Sequence, residues 1–397
     1  MTRHLLKLIW NRRRANALLI FEILLSFLAL LGVVTVGVYY VDNYRRPLGF
    51  DYEDTWLVEA SGELAEKSVE TYWRVFHAVE GLPRVEALAT RVWSVPFHPP
   101  VIDIDYEVGG RRYDFEWNRV SDGFARVLRL EVVRGRWFSR EDDGATWEPV
   151  VINDSLARYT FGGEDPIGRR MPQRALDERG RPNPEWRVVG VIKGYRSRGE
   201  FAAPRHCLFE RERIDDPNRI GIGLLVRMRP GTPPEFQKPL VERILRDAPA
   251  LTIRVKTLAD WRRENHRARL TPLIVVGTVV GFLLLMVVLG LMGALWQNVT
   301  QRTPEIGLRR AKGATAAHIH RQILGEVALL TTLAVAAGTL VAVQLPLIDV
   351  LSFLPARVLA ASLVISAAAI YVLTIVCGFY PARLATRVLP AEALHYE

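Results

Sequence analysis

The stretch TPEIGLRRAKGATAAHIHRQ, residues 303–322, lies between two long apolar runs. A helix needs about 20 apolar residues to cross a bilayer. Four runs in the sequence reach that length, and we predict them to be membrane-spanning helices: 17–41, 271–296, 323–348 and 358–380. The first run is too long for a cleaved signal peptide and lacks a small-residue cleavage site, so it is interpreted as an anchor. The quoted stretch is therefore predicted to join the second and third spans.

Basic residues cluster beside these runs rather than in one stripe along the chain. The sequence has 52 Lys and Arg and a formal net charge of +9, yet this distribution does not indicate a nucleic-acid surface. Most of the Lys and Arg residues near the spans lie in the segments 1–16, 297–322 and 381–397, whereas Arg357 is the one basic residue of the loop 349–357. Because Lys and Arg accumulate on the cytoplasmic side, both termini and the 297–322 loop are predicted to be cytoplasmic.

The segment 42–270 is then predicted to lie outside the cytoplasm, since long domains translocate regardless of their charge. Its pattern mixes the alternation typical of strands with the longer period typical of helices. Strands are predicted at 56–60, 148–152, 186–192 and 220–228, a hairpin at 103–117, and helices at 69–82, 153–161 and 234–248. The predicted fold class is therefore four transmembrane α-helices with a large α+β domain inserted between the first and the second.

The polar segment ADWRRENHRARL, residues 259–270, leads into the second span without a flexible linker. Its spacing predicts a helix that continues into the membrane at Pro272, in the manner of a stalk. Motion of the external domain would then be felt by the membrane helix.

The quoted stretch has the chemistry of a short capped helix. Thr303 can cap it, Pro304 suits its first turn, and Glu305 lies where the helix dipole favours an anion. Gly313 suits its end, so residues 304–312 are predicted to be helical. A helix this short is unstable alone in water and must dock on something. Lipid headgroups, neighbouring spans and a partner protein all fit these properties.

Several stretches match the landmarks of one protein family. The quoted stretch fits the pattern R-x-x-E-I-G-x-x-R-A-x-G-A through Arg302, Glu305, Ile306, Gly307, Arg310, Ala311, Gly313 and Ala314. A second signature lies in 149–171, with Asn153, Asp165, Pro166, Ile167 and Gly168, and a third in the tail, with Pro381, Ala382, Pro390 and Leu394. These stretches resemble the MacB/FtsX-type ABC transporter permeases, in the expected order and on the expected sides of the membrane.

The resemblance implies a bacterial inner-membrane permease whose short cytoplasmic helix, the coupling helix, fits a cleft on an ATPase subunit. The implied ATPase-coupling residues are Pro304, Glu305, Ile306, Gly307, Leu308, Arg309, Arg310, Ala311, Lys312 and Gly313. Lys312 departs from the family pattern, where a small or apolar residue is usual. Two permease chains with two ATPase chains are the implied assembly, and the sequence leaves open whether the two permeases are identical.

The sequence itself carries no site for ATP. A P-loop requires a lysine directly after a glycine, and none of the six lysines follows one. The chain is therefore expected to be a non-catalytic subunit that binds no cofactor, with ATP and Mg²⁺ on a separate cytoplasmic ATPase chain. Neither a G-x-S-x-G motif nor a metal-ligand spacing is present.

Two functions follow from the resemblance. The first is mechanotransmission: ATP hydrolysis drives movement of the external domain for export or extraction of a substrate, with a periplasmic or outer-membrane partner and membrane lipid as further contacts. The alternative is an FtsX-like regulator that controls an extracytoplasmic enzyme or sensor and transports nothing. The sequence names neither the substrate nor its direction.

Few other residues suggest a site. Glu22 and Glu326 lie inside spans, but each is close to the cytoplasmic end, so they are interpreted as candidate interfacial anchors. His318 and His320 are two positions apart on a predicted helix and diverge, which argues against a metal pair. Cys207 lies in the polar domain, so a disulfide with a cysteine inside a span is not expected.

Overall fold

The computed structural model describes residues 13–61, 69–90, 95–175, 183–212, 223–301, 308, 315–347 and 354–385. The chain divides into two compact units. One comprises Met1–Asp42 and Leu270–Glu397, and here it is called the membrane unit. The other comprises Asn43–Arg269 and is called the external unit.

The helices and strands are defined as follows. The helices are α1 (Arg13–Tyr44), α2 (Val69–Glu80), α3 (Phe124–Leu128), α4 (Asp154–Phe161), α5 (Gln237–Asp247), α6 (Leu258–Gln301), α7 (Ala316–Leu347) and α8 (Ala356–Ala385). The strands are β1 (Thr55–Ser61), β2 (Val85–Thr90), β3 (Ile102–Val108), β4 (Arg111–Val120), β5 (Val132–Gly135), β6 (Glu148–Asn153), β7 (Trp186–Ile192), β8 (Cys207–Arg211), β9 (Gly223–Met228) and β10 (Thr252–Thr257).

Four of these helices are long and apolar enough to cross a membrane. Their candidate spans are Asn16–Tyr44, Leu258–Gly293, Ala317–Leu345 and Ala356–Phe379. Large apolar side chains stay exposed along them, among them Ile274, Phe282 and Val364. Such surface is unfavourable in water and suits the hydrocarbon of a bilayer. The four predicted spans are thus confirmed as apolar helices, and α6 begins at Leu258, well before its span was predicted to start.

Inside the membrane unit, the buried side chain of Phe27 on α1 lies against Gly338 of α7, in an apolar cluster that also includes Ile370 and Cys377 of α8. Gly338 on α7 allows this contact, because a Cβ there would come within 2.5 Å of the Phe27 ring. Thr331 and Thr374 join α7 to α8 through a hydrogen bond of 3.1 Å between their buried hydroxyls. Each hydroxyl oxygen also lies 2.9 Å from the carbonyl oxygen four residues earlier on its own helix, so the one proton of each hydroxyl always has an acceptor. The polar groups are therefore satisfied without water, as a membrane interior requires.

The external unit contains two sheets. One has four antiparallel strands in the order β10-β1-β9-β2. The other has six strands in the order β3-β4-β8-β6-β7-β5 and is mixed, since β4 pairs with β8, and β6 with β7, in parallel. Both helices and strands are present between α1 and α6, so the predicted α+β class is confirmed.

Alternation along the strands places one core between the sheets and one on each outer face. In β1, Leu57 faces the shared core while Trp56 and Val58 face α2 and α5. In β8, Phe209 faces the shared core, and Leu208 packs towards α4. Because successive strand residues point to opposite faces, each central strand contributes to two cores.

The predicted hairpin and α4 show how local chemistry sets the chain direction. Gly109 and Gly110 have φ of +61° and +73°, the left-handed conformation that a two-residue turn between β3 and β4 needs. Asn153 caps α4 by accepting from the Leu156 N–H at 3.0 Å. Its Oδ1 also accepts from the Cys207 N–H at 3.1 Å, and its amide donates to the Arg205 carbonyl at 2.8 Å. Asn153 therefore joins β6, α4 and the start of β8.

Most predicted elements of the external unit are confirmed, with two qualifications. Residues 220–222 of one predicted strand lie outside the described residues. Four strands and one short helix escaped prediction, namely β2, β5, β8, β10 and α3. These segments are short and carry charged residues within or beside them, as in TIRVKT of β10, so their alternation is weak as a signal.

Arg227 on β9 is a charged side chain that faces the shared core, with 1% of its surface exposed. Its guanidinium donates to the carbonyl oxygens of Val127, Asp51 and Glu53. It also reaches the Asp51 carboxylate at 3.2 Å. One cation thus ties the four-stranded sheet to α3 and to the segment before β1.

We predict that Arg227→Met destabilises the external unit. The variant would leave three carbonyl groups without a donor, which costs about 3 kcal/mol or about 6–12 °C of unfolding temperature in a unit of this size. The measurement is thermal unfolding of the detergent-purified full chain, followed by tryptophan fluorescence. Arg112→Met is the matched control, because Arg112 is exposed and paired with Asp105 on the surface. Equal unfolding temperatures for both variants would contradict this role.

Candidate functional site at the foot of α6

The loop 193–206 connects β7 to β8 and holds the first turns of α6. Glu200 in this loop is 5% exposed. Its carboxylate accepts from the Arg262 guanidinium and lies 2.9 Å from Nε2 of His266. Arg262 and His266 are one turn apart on α6, so both reach the same carboxylate. We call these three residues the Glu200 clamp.

Arg196 fixes the same loop from within. Its guanidinium donates to the carbonyl oxygens of Glu200 and Ala202, at 2.6 and 2.7 Å, and is buried among them. It also donates to the Arg46 carbonyl at 2.7 Å, just beyond the end of α1. Nearby, the backbone of Gly49 lies directly against the loop. A Cβ at this position would come within 2.2 Å of the Gly194 carbonyl oxygen, so a larger residue would not fit. The loop therefore holds the segment after α1 as well as α6.

Aromatic contacts surround the Glu200 clamp. The Phe201 ring lies 4.8 Å from the His266 ring and stacks on Tyr44 at 5.8 Å. At Trp261, next to Arg262 in the sequence, the His98 ring packs edge-on with 4.2 Å between ring centres, and Nζ of Lys256 lies 3.7 Å from the centre of the same ring. Because Glu200 is itself buried, its charge-assisted bonds act in low-dielectric surroundings, which strengthens them.

Two opposing effects act on Glu200. Burial raises the pKa of its carboxyl, but the hydrogen bonds from His266 and Arg262 outweigh burial and leave that pKa below its usual value. A lowered pKa means that the clamp adds stability above the pH at which an unfolded glutamate titrates, about 4.3. This contribution is lost as pH falls through the lowered pKa, so the clamp is fully formed at neutral pH.

A second buried carboxyl lies beneath the loop. Glu116 on β4 is 2% exposed, and its nearest cation is Arg198 of the loop, 3.9 Å away. Within the described residues its Oε1 has no hydrogen-bond donor. Burial raises the pKa of Glu116, since the charged form is poorly compensated. Burial likewise raises the pKa of the Cys207 thiol far above its usual value, which makes this free cysteine unreactive.

The sequence-predicted site residues lie elsewhere. The predicted ATPase-coupling residues 304–313 lie outside the described residues, apart from Leu308, which is helical and exposed. The Glu22 carboxylate lies against Gly290 of α6, where a Cβ would come within 2.6 Å of Glu22 Oε1. Glu326 accepts from the side chain of Gln322 at 3.4 Å. The anchoring roles of both glutamates stay predictions.

The Glu200 clamp was missed by the sequence reasoning. The polar helix that bears Arg262 and His266 was recognised, but its partner is 62 and 66 residues away in the sequence. The loop GYRSRGEF has no hydrophobic period, so nothing local marks Glu200 as buried. Among the described residues no group of three His, Cys, Asp or Glu could hold a metal ion. What the described contacts of the clamp provide is an ion pair and hydrogen bonds that join the loop 193–206 to α6.

Family models match most of the chain. The MacB-like periplasmic core domain matches residues 17–245, and the C-terminal part of the FtsX-like permeases matches residues 277–390. The first model alone covers more than half of the sequence. The chain therefore belongs to the MacB/FtsX-type ABC transporter permeases, as the motifs predicted. Together with the four apolar helices, this makes it a multi-pass protein of the inner membrane.

Two relatives illustrate the extent of the similarity. The macrolide export ATP-binding/permease protein MacB of Bdellovibrio bacteriovorus is 26% identical over 308 residues, which are 71% of this chain and 44% of that protein. The pyoverdine export ATP-binding/permease protein PvdT of Pseudomonas aeruginosa is 27% identical over 312 residues, 74% of this chain and 43% of that protein. The chain spans less than half the length of each.

Solved structures show a partial likeness. The periplasmic region of MacB from Actinobacillus actinomycetemcomitans is 12% identical, with a TM-score of 0.37, and the match covers 54% of this chain and 93% of that one. The extracellular domain of the noncanonic ABC-type transporter YknZ is 14% identical, with a TM-score of 0.32, and the match covers 50% of this chain and 99% of that one. The family assignment rests on the family models.

We predict that Glu200→Ala loosens the loop 193–206. Hydrogen bonds to a charged group contribute about 1.5–3 kcal/mol, so backbone amides at 196–202 should exchange about 10 to 100 times faster. Hydrogen-exchange mass spectrometry on the full chain measures this. Glu164→Ala is the matched control, because Glu164 forms an exposed pair with Arg169. Unchanged exchange at 196–202 in the Glu200 variant would show that the clamp does not hold the loop.

We predict that Glu116→Gln stabilises the external unit at neutral pH. A raised pKa means that Glu116 adds stability below pH about 4.3 and loses it as pH rises through the raised value. The glutamine variant should unfold at a higher temperature than wild type at pH 7, and the two should converge near pH 4. Thermal unfolding of the full chain across this range is the measurement.

The control for that experiment is a carboxyl group whose pKa is shifted in the opposite direction. The Arg112 hydrogen bond holds the pKa of the exposed Asp105 below its usual value. Asp105→Asn should therefore be no more stable than wild type at pH 7. A Glu116 variant that is less stable than wild type at neutral pH would mean that its carboxylate is compensated.

Proposed function

We propose that this chain is the permease subunit of an ABC transport system, and that it couples ATP hydrolysis by a separate cytoplasmic ATPase to movement of its external domain. The observation that carries this proposal is α6. It runs unbroken from Leu258 to Gln301, and the Glu200 clamp holds its first turns to the loop between β7 and β8. The stalk inferred from the sequence is thus supported by one continuous helix.

The geometry supplies a route for mechanical coupling. Displacement of α6 would pull on Glu200 through Arg262 and His266. Arg196 would pass that pull to the backbone of the same loop, and β7 and β8 lie at its two ends. Both strands are in the interior of the six-stranded sheet, so the sheet would move with them as a body.

The membrane arrangement completes the proposal. Both termini and the 297–322 loop would be cytoplasmic, with the domain 42–270 on the periplasmic side. The coupling helix 304–312 would dock on the ATPase through Ile306, Leu308 and Ala311, while charged residues around them set its register. Two permease chains would assemble with two ATPase chains, because two-fold symmetry is the usual solution for such assemblies.

Export is the direction that the relatives favour. Both relatives are named as export proteins, one for macrolides and the other for pyoverdine. The similarity therefore supports export or extraction by this chain without indicating one cargo. Substrate would be engaged outside the cytoplasm or at the bilayer, because the described spans carry few polar groups for an aqueous path.

We predict that Glu305→Arg prevents ATPase binding and leaves membrane insertion intact. Glu305 would lie at the start of the coupling helix, where a cation opposes the helix dipole and reverses the charge presented to the partner. The measurement is identification of proteins that co-purify with tagged wild type and with the variant. Glu164→Arg is the control, because it makes the same charge change at an exposed position of the external unit.

The outcomes separate the two functions. An ABC-type ATPase that is recovered with wild type and with Glu164→Arg, but not with Glu305→Arg, supports the coupling helix. If the ATPase were recovered equally well with Glu305→Arg, the assignment of 304–312 as the coupling helix would be contradicted. Stable recovery of an extracytoplasmic enzyme or a sensor kinase, with no ligand-stimulated ATPase activity, would favour the FtsX-like regulator over export.

A further inference from the structure

A groove lies in the membrane unit between α7 and α8. Its cavity volume is about 610 Å³, and it is lined by Ala317, His320, Arg321, Leu324, Gly325, Ala328 and Ile375. None of these residues belongs to the Glu200 clamp. It lies at the beginning of α7, where the sequence changes from the basic loop to the apolar run that starts at residue 323.

Small residues on α7 create the space. Ala317, Gly325 and Ala328 have little or no side chain, so the helix surface is recessed along this line. A Cβ at Gly325 would meet no atom within 4 Å, which shows that the recess is open. Leu324 and Ile375 form apolar walls on the two helices. This lining has the shape and polarity that a hydrocarbon chain requires.

One end of the groove is cationic. Arg321 is exposed, and within the described chain its guanidinium has no hydrogen bond or ion pair. The neighbouring His320 is held in place by Phe379 of α8, whose ring lies 5.0 Å from the imidazole in an edge-on arrangement. Among the described residues that line the groove, none carries a carboxylate. An anion at this end would therefore meet a cation that is not already neutralised.

We propose that this groove binds an anionic phospholipid. The acyl chain would lie along Leu324, Gly325, Ala328 and Ile375, and the headgroup phosphate would accept from Arg321, with His320 beside it. A guanidinium presents a planar pair of donors that matches phosphate oxygens, and cations near a membrane surface favour anionic lipids. Along α7, the charged Arg321 comes first and the apolar Leu324 and Ala328 follow. This is the order in which a bilayer places the headgroup and the acyl chain of a lipid.

A protein segment fits this groove less well. A docked peptide would bring backbone N–H and C=O groups against Leu324, Ala328 and Ile375, which offer them no partner. A lipid chain carries no such groups. The groove residues of α7 are followed along the same helix by the exposed apolar side chains of Leu333 and Leu340, which the bilayer covers.

The test is native mass spectrometry of the detergent-purified full chain, titrated with phosphatidylglycerol and, separately, with phosphatidylcholine. Wild type should retain phosphatidylglycerol in preference. Arg321→Gln should lower its apparent affinity for phosphatidylglycerol about fivefold, the effect expected for one cation near a membrane surface. Arg321→Lys should keep most of the affinity. Arg357→Gln is the matched control, since Arg357 also begins a membrane helix but is paired with Asp42 at 3.0 Å.

A second variant tests the apolar part of the groove. Gly325→Leu should fill the open space and reduce binding of phosphatidylglycerol even with Arg321 in place. Gly281→Leu on α6 is its control, because a Cβ there also meets no atom within 4 Å. Unchanged phosphatidylglycerol binding by Arg321→Gln, or an equal loss in Arg357→Gln, would overturn the proposal. A third result would also overturn it. If Gly325→Leu kept its lipid binding but no longer formed the proposed permease dimer or recovered the ATPase, the groove would be a protein interface.

Discussion

The apolar surface of the four long helices is the constraint on which the rest of the molecule depends. Side chains such as Ile274, Phe282 and Val364 are more than half exposed, and burying them against protein would need partners that this membrane unit does not provide. Hydrocarbon solves the problem without a larger core. Because the bilayer covers these helices, the residues between α1 and α6 must build a core of their own.

The external unit meets that requirement by using each sheet face twice. Alternation sends Leu57 and Phe209 into a core shared by the two sheets, and sends their neighbours outward against helices. Two buried arginines then hold backbone segments that hydrophobic burial alone does not position. Arg227 joins the four-stranded sheet to α3, and Arg196 joins the loop 193–206 to the segment after α1. Each acts mainly on backbone carbonyls, so it sets chain position more than it adds net stability.

The sequence predicts features that short stretches encode. Four apolar runs predict the spans, alternation in 103–117 predicts the hairpin, and the amphipathic period of 153–161 predicts α4. Features that depend on distant residues escape it. Glu200 is buried beside Arg262 and His266 of α6, and Glu116 of β4 lies near Arg198 of the loop 193–206, so both contacts join residues far apart in sequence. The groove between α7 and α8 is hidden for the same reason, since its lining comes from two spans.

The span of α6 differs from its neighbours in how it is held. Only 6% of its most apolar window is buried, against 28%, 33% and 28% for the spans of α1, α7 and α8. Within the described membrane unit, the span of α6 therefore has the fewest contacts with other protein. The first turns of α6, in contrast, are held by charge-assisted bonds from Arg262 and His266 to Glu200. The proposed mechanical coupling would use this contrast, because a helix that has few protein contacts in lipid and is bound at one end would pass a displacement to that end.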